Sequence, residues 1–216
     1  MHRVRHQDAH LVVADKPHFM PVTPKGRYVK NSLLVRLRQR LGLPELSPIH
    51  RIDRETAGLV AFAVRAQDRH AYQRLFALRE VEKTYLAIAP ARDDLASGHV
   101  HRSRIASQPD FFVSHEVAGE PNSETHLALV ARHGTRGLYR LSPVTGKRHQ
   151  LRVHLCALGI PIEGDRFYPQ VLRGPDEAED FQQPLQLLAH TLRFVDPITG
   201  QPRAFESRRR LAWPLA

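Results

Sequence analysis

"SPIHRIDRETAGLVAFA", residues 47–63, places the carboxylate of Asp53 between Arg51 and Arg54 and then enters an apolar run that begins at Gly58. The run GLVAFAV, residues 58–64, predicts a buried strand, because it is apolar throughout and is preceded by loop-forming polar residues. The acid between two guanidinium groups has two interpretations. One is an ordinary ion pair in a loop, and the other is a carboxylate kept ionised for chemistry.

Periodicity along the rest of the chain predicts further strands and helices around this stretch. Leucines at helical spacing predict a helix over 31–42, capped by Asn31 or Ser32 and ended by Gly42. Other helices are predicted at 68–80 and 149–158, and strands at 10–17, 82–90, within 125–143 and at 185–195. Residues 91–122 are expected to be a surface excursion with at most one short hairpin, and residues 169–184 a polar, mobile segment. Strands and helices mix without regular alternation, which favours an α+β fold with one mixed, mostly antiparallel sheet and helices packed on it.

Length and composition predict one globular domain spanning residues 1–216. Apolar runs of about 20 residues, as membrane helices need, are absent from the sequence, and the N-terminus lacks the apolar core of a secretory signal. The single Cys156 excludes an internal disulfide and fits a reducing compartment. We therefore expect a cytoplasmic protein without membrane association, acting as a monomer.

The charge balance favours a polyanionic partner. Lys and Arg number 32 against 22 Asp and Glu, which gives a net charge of +10 with His neutral. Much of the excess is Arg, whose planar fork suits phosphate and stacks on bases. The alternative is a generically basic protein from a high-GC genome, so charge alone does not choose between a nucleic-acid binder and an enzyme.

Metal and cofactor motifs are not found in the sequence. Fourteen His include the pairs His99 with His101 and His149 with His154, but neither pair accompanies a Cys cluster or an HExxH motif. These histidines are predicted to be solvated or capping residues, and Cys156 a core thiol. Glycine-rich nucleotide loops are also missing from the sequence, so neither a metal nor a cofactor is expected.

Three polar segments lie beside predicted strands or helices and belong together: "HRIDRETAGLVAFA", "EKTYLAI" and "TGKRHQLRVHLCALGIPIEGDRFY". With "LVVADKP" near the start and "LLAHTLRF" near the end, they resemble the motifs of the RluA-type family of RNA pseudouridine synthases, in family order. The resemblance covers most of the chain. It implies a pseudouridine-synthase-like domain with a central active-site cleft, and RNA as the substrate.

The resemblance also implies roles for individual residues. It makes Asp53 the catalytic aspartate, Tyr85 the active-site tyrosine and Arg152 the arginine that pairs with the aspartate. Arg51 matches the family arginine that enters the space left by the displaced base. The remaining matched positions are expected to shape the loop, hold phosphate or contact substrate: His50, Arg54, Lys83 and Gln150.

Two departures from the family pattern concern loops and substrate choice rather than chemistry. Ala57 stands where the family usually has Ser, and "HFMPV" replaces a small, Gly-containing segment after Lys-Pro. The sequence begins almost at the first motif, which predicts that the S4-like domain of some relatives is absent.

Residue 152 falls about 100° around the helix from Leu151, off the apolar stripe, so Arg152 is expected to face the cleft.

The implied reaction breaks the N1 to C1′ bond of a uridine in rRNA or tRNA and rejoins the uracil through C5. It needs a carboxylate that is nucleophile or base while ionised, and a neighbouring arginine favours that form. Whether Asp53 adds to the base, attacks the sugar carbon or removes a sugar proton stays open. Two other function classes stay open, a catalytically idle RNA-binding or RNA-folding protein and, with less support, a DNA-binding regulator.

Overall fold

The computed structural model describes residues 3–24, 31–107, 113–172 and 180–214. Its helices are α1 (Leu33–Leu41), α2 (Arg69–Ala77) and α3 (Gln150–Ala157), with short 3-10 turns at Ala66–Asp68 and Asp93–Leu95. Its strands are β1 (Arg3–Gln7), β2 (Leu11–Lys16), β3 (Ser47–Pro48), β4 (Ala57–Ala63), β5 (Glu82–Pro90), β6 (His99–Ser107), β7 (Ser114–Val117), β8 (Ser123–His133), β9 (Arg136–Pro143), β10 (Leu187–Val195) and β11 (Pro202–Glu206).

The chain divides into two compact units. The first unit consists of Met1–Lys83 and Leu188–Arg210, and the second of Thr84–Leu187 and Leu211–Ala216. The predicted α+β fold with a mixed, mostly antiparallel sheet is confirmed, since the β4 and β10 pairing is parallel and the other described pairings are antiparallel. The prediction of one domain over 1–216 stays a prediction.

In the first unit, β4 is buried on both faces. Leu59, Ala61 and Ala63 point to a core cluster that includes residues of α2, whereas Val60 and Phe62 point to a cluster that includes residues of α1. β2 pairs antiparallel with β4 and divides its side chains between the same two clusters. Burial on both faces explains why the sequence of this strand is continuously apolar.

Gly58 is the residue that lets β4 run beside β10. Its φ is +112°, and it pairs in parallel register with Ala189. A Cβ at this position would lie 2.2 Å from the carbonyl oxygen of Ala189. Only glycine fits both the backbone conformation and the close approach, so the residue that opens the apolar run is fixed by the sheet.

In the second unit, the strands follow the order β5, β9, β8, β6 and β7, all antiparallel. β8 and β9 form a long hairpin with Gly134 in the left-handed conformation at its turn. α3 contributes Leu151 and Leu155 to the core cluster of this unit. The predicted hairpin and the leucine stripe of this helix are therefore confirmed.

The predicted helix 31–42 is confirmed with its caps, since the hydroxyl of Ser32 accepts a hydrogen bond from the N–H of Val35 and Gly42 has a φ of +65°. The surface excursion predicted for 91–122 is wrong in extent. β6 has nine residues and pairs with both β7 and β8. β1 and β11 were not predicted, because RVRHQ and PRAFE each contain two charged residues and few apolar residues.

Part of the predicted mobile segment 169–184, residues 173–179, lies outside the described residues. Among the helices of the described ranges, none combines the length and the apolar character that crossing a membrane requires.

Candidate active site

A buried lysine holds the loop that carries Asp53. Lys16 ends β2 and is 0% exposed. Its ammonium group donates to the carbonyl oxygens of Pro17 at 3.1 Å, Met20 at 2.7 Å and Arg54 at 2.9 Å. An ammonium group has three hydrogens, so the three carbonyls satisfy it completely. The loop residue that follows Asp53 is thereby joined to the turn after β2.

Burial and nearby carboxylates shift the pKa of this lysine in opposite directions. Burial lowers the pKa of Lys16 to about 7, while the carboxylates of Glu55 and Asp53 raise it. The ammonium form fits the surroundings because three carbonyl oxygens converge on Nζ. A deprotonated amine would direct a lone pair at one of those oxygens.

His50 connects the start of the same loop to β4. Its Nε2 accepts a hydrogen bond from the backbone N–H of Ala61 at 3.1 Å, and its ring stacks on Phe76 with centroids 4.6 Å apart. Burial, together with the charge of Lys83, lowers the pKa of His50 to about 3. The imidazole is therefore neutral and carries its proton on Nδ1. This geometry supports the loop-shaping half of the sequence interpretation, whereas a phosphate contact by His50 stays a prediction.

The two arginines beside Asp53 have different surroundings. Arg51 is exposed, while Asp53 and Arg54 are partly buried. Arg54 donates from Nη1 to Glu55 at 3.1 Å, and its guanidinium carbon lies 5.8 Å from the centre of the Phe19 ring. Arg51 thus extends into solvent as a base-replacing arginine requires, and Arg54 is held within the loop.

Tyr85 lies on the face of β5 that also carries Ala87 and Ala89, and it packs against the core cluster of the second unit. Its predicted role as the active-site tyrosine stays a prediction. Tyr85 is half-buried and pairs with Leu141 of β9. Its ring is therefore fixed by packing at the margin of a core. The predicted role of Lys83, whose pKa is lowered by burial, stays untested.

Gln150 is engaged at every hydrogen-bonding position of its amide. Its oxygen accepts from the hydroxyl of Thr145 at 2.7 Å and from the N–H of Lys147 at 3.0 Å. Its nitrogen donates to the carbonyl of Glu124 and to the hydroxyl of Thr125, both at 2.9 Å. Gln150 is 4% exposed. The predicted substrate contact stays a prediction, and the geometry favours a role in fixing the start of α3.

The hydrogen bonds continue from Gln150 to His154. The hydroxyl of Thr125 accepts from Gln150 and also contacts Nδ1 of His154 at 2.9 Å. Because Ser123 donates to the carbonyl of Ser103, its oxygen accepts from Nε2 of His154 at 3.0 Å. This network assigns a neutral His154 protonated on Nε2, consistent with a pKa lowered to about 4, chiefly by burial.

The prediction of solvated or capping histidines is wrong for His154 and His149. Both are buried, and Nδ1 of His149 contacts the hydroxyl of Tyr168 at 3.0 Å. Ligand atoms of His101, Glu116 and His154 lie within 4.8 Å of one another, the spacing of a possible metal group in the described ranges. The hydroxyl network uses both nitrogens of His154, and His101 contacts Glu116 at 2.7 Å, so hydrogen bonds already satisfy this group.

Arg152 lies buried on α3, and its expected orientation toward the cleft stays a prediction. It is 1% exposed and makes two parallel hydrogen bonds to Asp165, at 2.8 and 2.6 Å. The periodicity placed it off the leucine stripe, which is correct, but the side of α3 away from that stripe is buried as well. The predicted pairing of Arg152 with Asp53 links residues of different units and stays a prediction.

Two residues of this site were missed by sequence reasoning, although both lie in quoted motifs. Lys16 is the charged residue that closes an apolar strand before Pro17, and Asp165 lies in "GDRFY". A charged side chain directly after a buried strand was the available signal for Lys16. For Asp165 the sequence contains no equivalent signal, because its partner Arg152 is brought to it only by the fold.

Comparisons with known proteins indicate the family and the fold of this chain. A family model described as RNA pseudouridylate synthase matches residues 10–157. Among solved structures, human RNA pseudouridylate synthase domain containing 4 has a TM-score of 0.73 at 26% identity, over 96% of this chain and 88% of that chain. Human RNA pseudouridylate synthase domain containing 1 has a TM-score of 0.77 at 23% identity, over 97% of this chain and 84% of that chain, which shows the fold alone.

The chain belongs to the RNA pseudouridylate synthase family and is an isomerase that acts on RNA. Within the family it is similar to proteins named dual-specificity RNA pseudouridine synthase RluA. The protein of Salmonella typhimurium strain LT2 is 32% identical over 208 residues, covering 94% of this chain and 91% of the relative. The protein of Haemophilus influenzae is 32% identical over 212 residues, with the same two coverages. The resemblance inferred from the sequence motifs is confirmed.

Proposed function

We propose that the protein isomerises a specific uridine of rRNA or tRNA to pseudouridine, with Asp53 as the catalytic carboxylate. The observation that carries this proposal is that two side chains, Lys16 and His50, hold the loop around Asp53 in place. Lys16 joins the Arg54 carbonyl of this loop to two carbonyls of the turn after β2, and the neutral His50 joins the start of the loop to β4. A reacting carboxylate needs such a rigid setting, whereas a surface ion pair does not. Comparing pseudouridine formation by wild type and Asp53→Asn tests the assignment.

The chemistry suits the residues present. Isomerisation of uridine changes no oxidation state and needs no group donor, so a side-chain carboxylate acting as nucleophile or base suffices. Asp53 follows Arg51 and precedes Arg54 in the sequence, and neighbouring cations favour the ionised form. Tyr85 is proposed to stack on the uracil, and Arg152 to support the carboxylate. No metal or cofactor is included in this proposal.

A uridine stacked in folded RNA must be turned out before its C1′ and C5 are accessible, at a cost of a few kcal/mol. Arg51 is exposed and adjacent to the Asp53 loop, which suits a side chain that fills the vacated position. Its contribution is then to stabilise the flipped state, and not to assist the bond changes.

Replacing Arg51 by Ala is expected to lower the rate on folded RNA by roughly 30-fold, equivalent to about 2 kcal/mol of lost flipped-state stabilisation. On a single-stranded RNA whose target base is already unstacked, the defect should shrink to a few-fold. Single-turnover pseudouridine formation on the two RNAs measures the difference. Arg74→Ala, which removes the same charge from the exposed side of α2, is the control. An equal loss on both RNAs would assign Arg51 to the chemistry instead.

Exposed arginines and lysines provide the surface for RNA. They lie on α1, in the turn before α3 and near the C-terminus: Arg36, Arg40, Lys147, Arg148, Arg208 and Arg210. Arg209 is not counted among these surface residues, because its Nε forms an ion pair with Asp15 at 3.3 Å. Part of the basic excess inferred from composition is thus surface charge.

The affinity for RNA is expected to fall linearly with salt on logarithmic axes, because bound phosphates release counterions. We expect a slope of about −3 or steeper, the value for roughly four neutralised phosphates of a single strand. Filter binding between 50 and 300 mM salt measures it, with Asp53→Asn used to prevent turnover. An affinity independent of salt would contradict an RNA surface built from these side chains.

We also propose that the protein acts as a monomer in the cytoplasm. The single Cys156 is partly buried, and burial raises the pKa of its thiol, which fits a protein that does not depend on disulfides. The alternative inferred from the sequence, a catalytically idle RNA-binding protein, would use the same basic surface. A carboxylate fixed beside the RNA surface repels phosphate, which a pure binder has no reason to keep.

A further inference from the structure

The guanidinium of Arg152 is fixed in orientation by a carboxylate from outside its helix. Nε donates to Oδ2 of Asp165 at 2.8 Å, and Nη2 donates to Oδ1 at 2.6 Å. Both side chains are 1% exposed. Two parallel charge-assisted hydrogen bonds define the plane and the direction of the guanidinium, which a single contact does not.

Asp165 is itself fixed by the backbone around it. Its Oδ1 also accepts from the N–H groups of Phe167 at 2.9 Å and Tyr168 at 3.3 Å. The preceding Gly164 has a φ of +74°, and a Cβ there would lie 2.4 Å from the carbonyl oxygen of Pro184. The carboxylate therefore belongs to a tightly constrained turn and does not follow movements of Arg152.

Two aromatic rings complete the support. The guanidinium carbon of Arg152 lies 4.9 Å from the centre of the Phe167 ring and 5.4 Å from that of Tyr168. The hydroxyl of Tyr168 accepts from the N–H of Ser114 at 2.8 Å and donates to its carbonyl at 2.9 Å. Tyr168 is thus anchored to β7. Both rings attract the cation and restrict its position.

This arrangement exceeds what neutralising a buried charge requires. The fork to Asp165 uses Nε and Nη2, so Nη1 is the nitrogen of Arg152 that Asp165 does not bind. Fixing one edge of a planar guanidinium also fixes the direction of the opposite edge. A phosphate contact at the surface needs no such orientation, whereas a contact to a reacting group does.

We propose that Asp165 is a positioning residue for the isomerisation, acting through Arg152. It holds the guanidinium in one orientation through two hydrogen bonds, and its charge permits Arg152 to be buried. The inference rests on the proposed function, in which Arg152 supports the catalytic carboxylate. It adds a residue for which the motif resemblance implied no role.

The test is the Asp165→Asn variant, in which an amide cannot accept both guanidinium hydrogen bonds. We expect kcat to fall by about 10²-fold, the scale of a small misplacement in an active site, with KM changed by less than about threefold. Glu163→Gln is the matched control. Glu163 forms the same kind of two-bond pair with Arg136, at 2.8 Å each, but about a third of each side chain is exposed. Its kcat should equal that of wild type.

A double-mutant cycle separates positioning from general support of the fold. If Asp165 acts through Arg152, adding Asp165→Asn to Arg152→Lys should lower kcat by less than about threefold further. The proposal would be overturned if the kcat losses of the two single variants multiply in the double variant, or if Asp165→Asn has a wild-type kcat.

A second variant covers the case in which Asp165→Asn does not fold. Asp165→Glu keeps the charge but moves the carboxylate, and kcat should still fall by at least about tenfold. A wild-type kcat for that variant would also overturn the proposal.

The proposed function is checked first in the same assay. Wild type must form pseudouridine and Asp53→Asn must not. With both results in place, a wild-type kcat for the Asp165 variants counts against Asp165 alone. If wild type forms no pseudouridine, the proposed function fails and the inference about Asp165 fails with it.

Discussion

Asp53→Asn is expected to abolish pseudouridine formation while leaving folding and RNA binding intact. The substitution keeps the size and shape of the side chain but removes the ionised oxygen that the reaction needs. We expect the single-turnover rate to fall by at least about 10³-fold, the scale for removing a covalent catalyst. RNA affinity should hold or rise slightly, because the neighbouring arginines then lack a counter-charge. Rapid-quench measurements, thermal unfolding and filter binding provide the three readouts.

Glu45→Gln is the control for the change of charge, since Glu45 is an exposed carboxylate of the first unit. It should behave as wild type in all three measurements. An Asp53→Asn variant that forms pseudouridine as fast as wild type would remove Asp53 from the chemistry. An Asn variant that loses RNA binding along with activity would indicate instead that the loop around Asp53 had changed.

Gly58→Ala is expected to have the largest effect on stability. The methyl group of an alanine at this position would lie 2.2 Å from the carbonyl oxygen of Ala189. The alanine backbone would also have to adopt a φ of +112°. Backbone strain and overpacking together should cost about 4 kcal/mol. For a chain of this size the melting temperature would fall by roughly 8–16 °C. Calorimetry or thermal circular dichroism measures the change.

Two other glycines separate the contributions of strain and overpacking. Gly42→Ala meets no atom within 4 Å but has a φ of +65°, so it should cost about 1–2 kcal/mol from backbone conformation alone. Gly146→Ala also meets no atom within 4 Å, and its φ lies outside the positive range, so it should be neutral within about 0.5 kcal/mol. A Gly58→Ala variant as stable as Gly146→Ala would show that β4 and β10 are farther apart than described.

The parts of the fold that the sequence predicts well are those where one local signal decides the structure. The continuous apolar run at 58–64 is buried on both faces, and the Ser32 and Gly42 caps define the helix between them. The strand β6 was missed because "HVHRSRIAS" has no apolar face of its own. Its pairing with two neighbouring strands is a tertiary effect that a local pattern does not contain.

The site shows the same division between local and tertiary information. Motif positions identified Asp53, Tyr85 and Arg152, but their surroundings depend on residues distant in the sequence. Arg152 was expected to face the cleft, but the sequence did not show that it is buried and paired with Asp165. His154 was expected to be solvated, but hydroxyl groups of β6 and β8 satisfy both of its nitrogens. Helical periodicity reports the direction of a side chain, not the element that covers it.

The most direct test of the central claim is tritium release from uridine labelled at C5, because rejoining through C5 requires loss of that hydrogen. The substrates are the rRNA and tRNA fractions of a strain that lacks the gene, without added cofactor. We predict that wild-type protein releases tritium from at least one fraction, up to a whole number of sites per RNA, and that Asp53→Asn releases none above background. Absence of release by wild type from every cellular RNA fraction, or equal release by both proteins, would contradict the account.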